Sequence, residues 1–195
     1  MGKAEDSAST RRRLLDSATK LYSLKGLSET SVQEVVDDAG LTKGAFYHHF
    51  DSKARIVAAI HEEYVGPQVE EIRRIMERCT DPAQMLQEVF VFVFRQSVEH
   101  AASQTVFAQS LPIMPIEVMR EVKARRDEFE ALLVEVIDRG VDAEEFSINV
   151  PTRVLAFALV GICAWGPYWY RAGRGLTAED IGREYARVLL DGMRA

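Results

Sequence analysis

The stretch Thr30-Ser-Val-Gln-Glu-Val-Val-Asp-Asp-Ala39-Gly40-Leu-Thr-Lys43-Gly-Ala-Phe-Tyr-His-His-Phe50-Asp-Ser-Lys53 reads as two short helices separated by a tight turn. Thr30 and Gln33 have the spacing of a capping box, which predicts a helix opening near Ser31. Val32, Val35, Val36 and Ala39 follow at helical spacing and form one apolar face. Gly40 sits where that helix must stop, because glycine enters the left-handed region without steric cost. Leu41 is an apolar plug for the turn. Thr42 is placed to cap a second helix, whose buried face is Phe46 and Phe50, four apart.

The residues of the second helix that the core does not need carry the chemistry. Lys43, Gly44 and Ala45 lie in its opening turn, where a recognition helix presents side chains to base edges. Gly44 and Ala45 let the backbone approach DNA closely, and the Ala45 methyl can meet a thymine methyl. Lys43 can reach a guanine edge or a phosphate. Tyr47, His48 and Lys53 have the reach and the donors for phosphate oxygens. Thr30, Ser31 and Thr42, with the free amides that open each helix, suit phosphates as well.

The run from Ala39 to Lys53 closely resembles the DNA-binding signature of the tetracycline-repressor (TetR) family. It carries the glycine turn, Lys43-Gly44, the Tyr47-His48-His49-Phe50 cluster and the following Lys53 together, and the resemblance extends from about Arg12 to about Tyr64. Val36 stands where the family usually has a small residue, and Arg55 where an acidic residue often follows the lysine. The resemblance implies an all-α chain: an N-terminal three-helix helix-turn-helix DNA-binding domain followed by a C-terminal helical ligand-binding and dimerisation domain. It also implies a homodimeric repressor that binds a near-palindromic double-stranded DNA operator and is released by a small-molecule effector. Two heads would then sit in successive major grooves, about 34–36 Å apart.

The chain has 195 residues, 47% of them hydrophobic, with 12 Gly and 6 Pro. That supports a substantial core and favours helices over a turn-rich β fold. The net charge of −6 at first argues against nucleic acid. Its distribution changes the reading: residues 1–60 carry nine Lys/Arg against eight Asp/Glu, and the remainder 15 against 22. The acidic excess lies outside the reading head. The head is nonetheless barely basic, so phosphate contacts are expected to be few and well placed. Cys79 and Cys163 show no metal or redox spacing, which fits a reduced, cytoplasmic compartment. The polar opening residues have no signal-peptide pattern.

In chain order, residues 1–8 read as a disordered tail, 9–53 as the DNA-binding domain with its helix-turn-helix at about 31–50, and 54–195 as the ligand-binding and dimerising body. A first helix is expected from Ser9 or Thr10 to about Lys25. The triplet Arg11, Arg12 and Arg13 at its start is a candidate for phosphate or minor-groove contact, a solvated charge run being the alternative. A long helix from Ser52 should kink or break at Gly66-Pro67. Asp81-Pro82 starts a helix bearing Met85, Leu86, Val89, Phe90, Val93 and Phe94. A short helix over His100–Ser110 and a long one from Pro115 to Gly140 follow, then an acidic connector at 141–150. Val154 to Tyr170 is 17 residues without a charge. A membrane span needs about 20, and Gly166-Pro167 should interrupt this one. The segment therefore reads as an oligomer interface: Val154, Phe157, Ala158 and Gly161, joined by Tyr185, Val188 and Leu189 of the last helix, in a four-helix bundle across a two-fold axis.

No nucleophile with its base, paired acid or phosphate loop points to catalysis, so no enzyme is expected, and the histidines suggest no metal site. The aromatic run Trp165, Tyr168, Trp169 with Arg171 has two readings: packing at the end of a core helix, or a ligand pocket. In the second, Met85, Phe94, Phe107 and Met114 join the rings, and Arg95, His100, Gln104 and Arg171 are polar anchors. The segment after Trp165 also resembles, more weakly, family members that respond to acyl-CoA thioesters in fatty acid or sterol breakdown. The effector implied is an acyl-CoA or another large apolar molecule, with no resident cofactor. Two other classes remain open, a helical enzyme with an accessory head and a dimeric interaction module without specific DNA binding.

Overall fold

The computed structural model describes residues 2–193, with side chains from residue 6 onward. Its secondary structure is helical: α1 (Gly2–Lys25), α2 (Val32–Ala39), α3 (Lys43–His49), α4 (Lys53–Arg78), α5 (Pro82–Glu99), α6 (Ala101–Ser110), a 3-10 turn (Leu111–Ile113), α7 (Ile116–Asp142), α8 (Thr152–Trp169) and α9 (Ala178–Met193). Helix α1 starts at Gly2, so residues 2–8 are helical rather than a disordered tail; Met1 lies outside the described residues. Their polar composition carries no apolar period from which a helix could be read.

Two compact units form, one from Met1–Tyr64 with Ala102–Ala124, the other from Val65–Ala101 with Arg125–Ala195. The expected division at residue 53 differs from both. Ile56, Val57 and Ile60 of α4 and Val106 of α6 belong to the same core as the reading head. Long helices let one segment serve two cores, which a linear boundary cannot express.

In the first unit, α1 buries Leu14, Leu15, Ala18, Leu21 and Tyr22, and α2 buries Val35, Val36 and Ala39 against Phe46 and Phe50. The Tyr22 hydroxyl is enclosed without a partner, and burial pushes its pKa upward. In the second unit, α5 packs on α8 and most extensively on α9. The small residues at these crossings explain the closeness. A Cβ on Gly182 would lie 2.7 Å from the Val91 Cα, and one on Gly166 would lie 2.8 Å from the Phe94 ring.

Pro67 and Pro167 both lie inside continuous helices. Each removes one N–H donor. The apolar residues around Pro67, with Val65 and Val69 both buried, keep α4 in place through the missing bond. The acidic connector is also more ordered than its composition suggests. The Glu145 and Phe146 amides both donate to the Gly140 carbonyl, and Phe146 folds back, 4% exposed, over Gly140.

Candidate nucleic-acid interface

Helix α2 opens on a capping box one residue later than the sequence suggested. The Ser31 hydroxyl accepts from the Glu34 amide, and the Glu34 carboxylate accepts from the Ser31 amide at 2.9 Å. The sequence contains both overlapping registers, Thr30 with Gln33 and Ser31 with Glu34. The fold selects the second because Thr30 is fully buried, its hydroxyl donating to the Gly26 carbonyl at 2.9 Å. Thr30 is therefore a structural residue and not an exposed phosphate donor. Lys25 and the two Ser31 donors hold the Glu34 carboxyl at about 2, from an ordinary value of 4.5.

Gly40 ends α2 in the left-handed region at φ 62°, its amide returned to the Asp37 and Val36 carbonyls. Thr42 then caps α3 by accepting from the Ala45 amide at 3.2 Å. Phe46 and Phe50 turn inward, 0% and 5% exposed. Lys43, Gly44, Tyr47 and His48 consequently face solvent, with Ala45 half-buried between them. Tyr47 is 55% exposed, a large polar-tipped ring left outside a well-filled core. His49 lies partly inside, where burial and then the charges of His48 and Arg11 lower its pKa and favour the neutral ring.

The cations sort themselves by partner. Arg11 and Arg12 both reach Glu63, at 2.9 and 3.5 Å, and Arg12 also pairs with Asp16. The Arg11 guanidinium lies 5.6 Å from the Phe50 ring centroid. Lys20 pairs with Asp38, Lys25 with Glu34 and Arg55 with Glu121. Arg13 donates to the Ala39 and Gly40 carbonyls, and Lys53 to those of Leu27 and Thr30, at 2.6 and 2.9 Å. Lys53 is half-buried, and these two carbonyls take two of its three N–H donors. Among the described Lys and Arg side chains of residues 6–60, Lys43 alone has no partner in the fold. The carbonyl partners of Arg13, and Glu63 as the partner of Arg11, escaped sequence reading because they lie more than 20 residues away.

The expected ligand-pocket residues divide between the units. Gln104, Phe107 and Met114 belong to the first, where Gln104 donates to the Tyr64 hydroxyl at 2.8 Å, Phe107 packs on His61, and Met114 packs on the head core. Met85, Phe94, Arg95, His100, Trp165, Tyr168, Trp169 and Arg171 belong to the second. There Met85 and Phe94 are core residues. Phe94 centres an aromatic cluster with Trp169, Tyr170 and Tyr185. Tyr185, half-buried, accordingly packs on Phe94 within its own unit. Trp165 and Tyr168 face outward, 63% and 64% exposed, and stack on each other at 4.6 Å. They correct the pocket reading, because they lie on the same stripe of α8 as Val154, Phe157, Ala158 and Gly161, all exposed. Val188 of α9 is 61% exposed, whereas Leu189 is half-buried. A separate recess of about 490 Å³ is lined by Trp169, Tyr170, Arg171, Arg174, Leu176 and Ile181. The Arg171 guanidinium donates to the Tyr170 carbonyl at 2.7 Å and closes the end of α8.

Among the described residues, no group of three or more His, Cys, Asp or Glu is placed to hold a metal ion, and no helix is long and apolar enough to cross a membrane.

The same arrangement recurs in other proteins. The HTH-type transcriptional repressor KstR2 of Mycolicibacterium smegmatis is 27% identical over 189 residues, covering 95% of this chain and 91% of that protein. The TetR family transcriptional regulator PfmR of Thermus thermophilus superposes with a TM-score of 0.82 at 28% identity, over 94% of this chain and 100% of that one. The ketosteroid transcriptional regulator KstR2 of Mycobacterium tuberculosis shares the fold, with a TM-score of 0.82 at 24% identity over 95% of each chain. Residues 14–60 match the family of bacterial regulatory proteins, tetR family, and residues 79–193 match the tetracyclin repressor-like C-terminal domain. The second match alone spans more than half of the chain, and the protein therefore belongs to the TetR family of helix-turn-helix, DNA-binding transcriptional regulators.

Proposed function

We propose that this regulator is a homodimeric repressor whose α3 reads a near-palindromic operator and which a small-molecule effector releases. The observation that carries the reading is the exposed face of α3. Lys43 is the one cation of residues 6–60 that the fold leaves unpaired among the described side chains, and it stands in the first turn beside Gly44 and Ala45. Lys43 and Ala45 face base edges in this reading, while Thr42, Tyr47, His48 and the amides at the start of α3 meet phosphates. Ser31, exposed at the start of α2, adds a neutral contact. Arg11 and Arg12 contribute to the extent that phosphates displace Glu63.

Dimerisation is supported by the exposed apolar stripe of α8, Val154, Phe157, Ala158, Gly161, Trp165 and Tyr168, with Val188 of α9 beside it. A stripe of this kind on a helix is the signature of a face covered by another chain. The effector class we favour is an acyl-CoA thioester. The recess beside Trp169 combines apolar walls with Arg171 and Arg174, suited to an apolar group carrying an anion. A protein of the same fold, AibR, has been crystallised with isovaleryl coenzyme A and operator DNA, and the KstR2 relatives point toward sterol or lipid control. Release requires only that effector binding favour a head arrangement that fits the operator less well, by about 1–3 kcal/mol.

The test is competition. Purified protein is bound to its operator and titrated with long-chain acyl-CoA, with free CoA as control, while anisotropy reports DNA release. Release by the thioester and not by free CoA supports the reading. Undiminished DNA binding, with no heat of thioester binding, removes the effector class.

A further inference from the structure

We propose that Glu63 withholds Arg11 from DNA, so that a carboxylate of the head itself limits how tightly the head binds. The inference rests on the DNA-reading assignment of α3.

Arg11 stands at the C-terminal end of α3. Its guanidinium lies 5.6 Å from the ring centroid of Phe50, the residue that closes that helix. After burial and His48, its charge also helps to lower the pKa of the adjoining His49. A helix lying in a major groove is flanked by the phosphates that border the groove, so a cation beside its last turn is placed for one of them. The fold supplies an anion first. Nη1 of Arg11 donates to Oε1 of Glu63 at 2.9 Å, and Nη1 of Arg12 to Oε2 at 3.5 Å. One carboxylate of α4 thus faces two guanidinium groups of α1 with both its oxygens. Arg12 has a second acid, Asp16, at 2.9 Å. Among the described residues, Glu63 is the one carboxylate paired with Arg11.

The Arg11 and Glu63 side chains are 43% and 35% exposed, which keeps the pair modest in strength. What holds Arg11 back is the state that an exchange would create. Turning to a phosphate leaves Glu63 bare beside a polyanion, and that repulsion offsets the new contact. Glu63 therefore tunes affinity and does not forbid binding.

The experiment compares wild-type protein with E63Q, R11M and E63Q/R11M on the selected operator, from about 50 to about 200 mM salt. Glutamine keeps the shape of Glu63 and removes its charge. Methionine keeps an apolar stem against Phe50. With one pair opened in each of two heads, E63Q should bind about two- to thirtyfold more tightly. Its salt slope should steepen by about 2, since each of the two released arginines adds about 0.9. Arg12, still held by Asp16, adds nothing. R11M alone should keep the wild-type slope, because an arginine that makes no phosphate contact has none to lose. The double variant should lose the gain of E63Q.

E63Q that binds no tighter would overturn the proposal, and weaker binding would make the pair a structural tie between α1 and α4. Tighter binding at the wild-type slope also overturns it, because Arg11 would then already leave Glu63 on DNA. So does a gain that survives in E63Q/R11M, which would reflect net charge alone, or an R11M slope shallower than that of wild type. If E63Q fails to fold, the R11M slope decides. A wild-type protein that binds no duplex strikes at the DNA reading instead. Elution from immobilised heparin then tests the shielding: E63Q must leave at higher salt than wild type and E63Q/R11M must not, and any other order refutes it.

Discussion

Replacing Gly40 by alanine acts on the reading head through two separable effects. At φ 62°, an alanine enters the left-handed region at a cost of about 1–2 kcal/mol. Its Cβ would also lie 3.0 Å from Nη2 of Arg13, the atom that donates to the Ala39 and Gly40 carbonyls. The guanidinium must give way, weakening a charge-assisted bond worth about 1.5–3 kcal/mol when fully formed, about 1 kcal/mol at this partly exposed site. The total is about 2–3 kcal/mol against the folded turn. Gly26 provides the control. It also has positive φ, 88°, but a Cβ there meets nothing within 4 Å, so Gly26→Ala should incur the backbone cost alone. Amide exchange over α2 and α3 measures local opening, and operator anisotropy measures the consequence for binding. Gly40→Ala should exceed Gly26→Ala by about 1 kcal/mol in wild-type protein, and the excess should vanish in an Arg13→Met background, since neighbours that share a contact are not additive. Equal losses at the two glycines, or an excess that survives removal of Arg13, would refute the reasoning.

Three further outcomes follow from the geometry. With Lys43 the one unpaired cation among the described Lys and Arg side chains of residues 6–60, two heads should give a log–log salt slope of about −2, far shallower than for strongly basic heads, and a slope steeper than about −6 would mean that the internal ion pairs open on DNA. The Glu34 carboxyl, depressed to about 2 by Lys25 and Ser31, contributes stability that is present above its ordinary 4.5 and is lost as pH falls toward 2; Glu34→Gln should flatten the acid unfolding profile of the head across that window, and an unaltered profile would contradict the capping box. Gly182→Ala drives a methyl against the Val91 backbone at 2.7 Å, which cannot rotate away, so thermal unfolding should show destabilisation of about 1–3 kcal/mol, whereas Gly192→Ala, which meets nothing within 4 Å, should be tolerated.

The parts of the head that were legible in the sequence are those governed by local rules. Gly40, Thr42, and the Phe46/Phe50 pair each signal through their own backbone preference or a spacing of four. The capping register was not, because two overlapping registers satisfy the same pattern and only the burial of Thr30 decides between them. The carbonyl partners of Lys53 and Arg13 were unreadable because they lie 23 to 27 residues away along the chain. The prolines suggested breaks that do not occur. Pro67 and Pro167 break helices as isolated signals, but packing along α4 and α8 retains the helix on both sides. The outward stripe of α8 was visible as an uncharged run, yet the side on which Trp165 and Tyr168 lie depended on which face Ala156, Leu159 and Cys163 bury.

Selection of bound sequences from a random duplex pool, at near-physiological salt, tests the central claim most directly. The account predicts a two-fold symmetric motif with half-sites centred one helical turn apart, and a changed preference at fixed spacing when Lys43 or Ala45 is substituted. A pool without an enriched motif, or one whose motif is untouched by changes at Lys43 and Ala45, would contradict it.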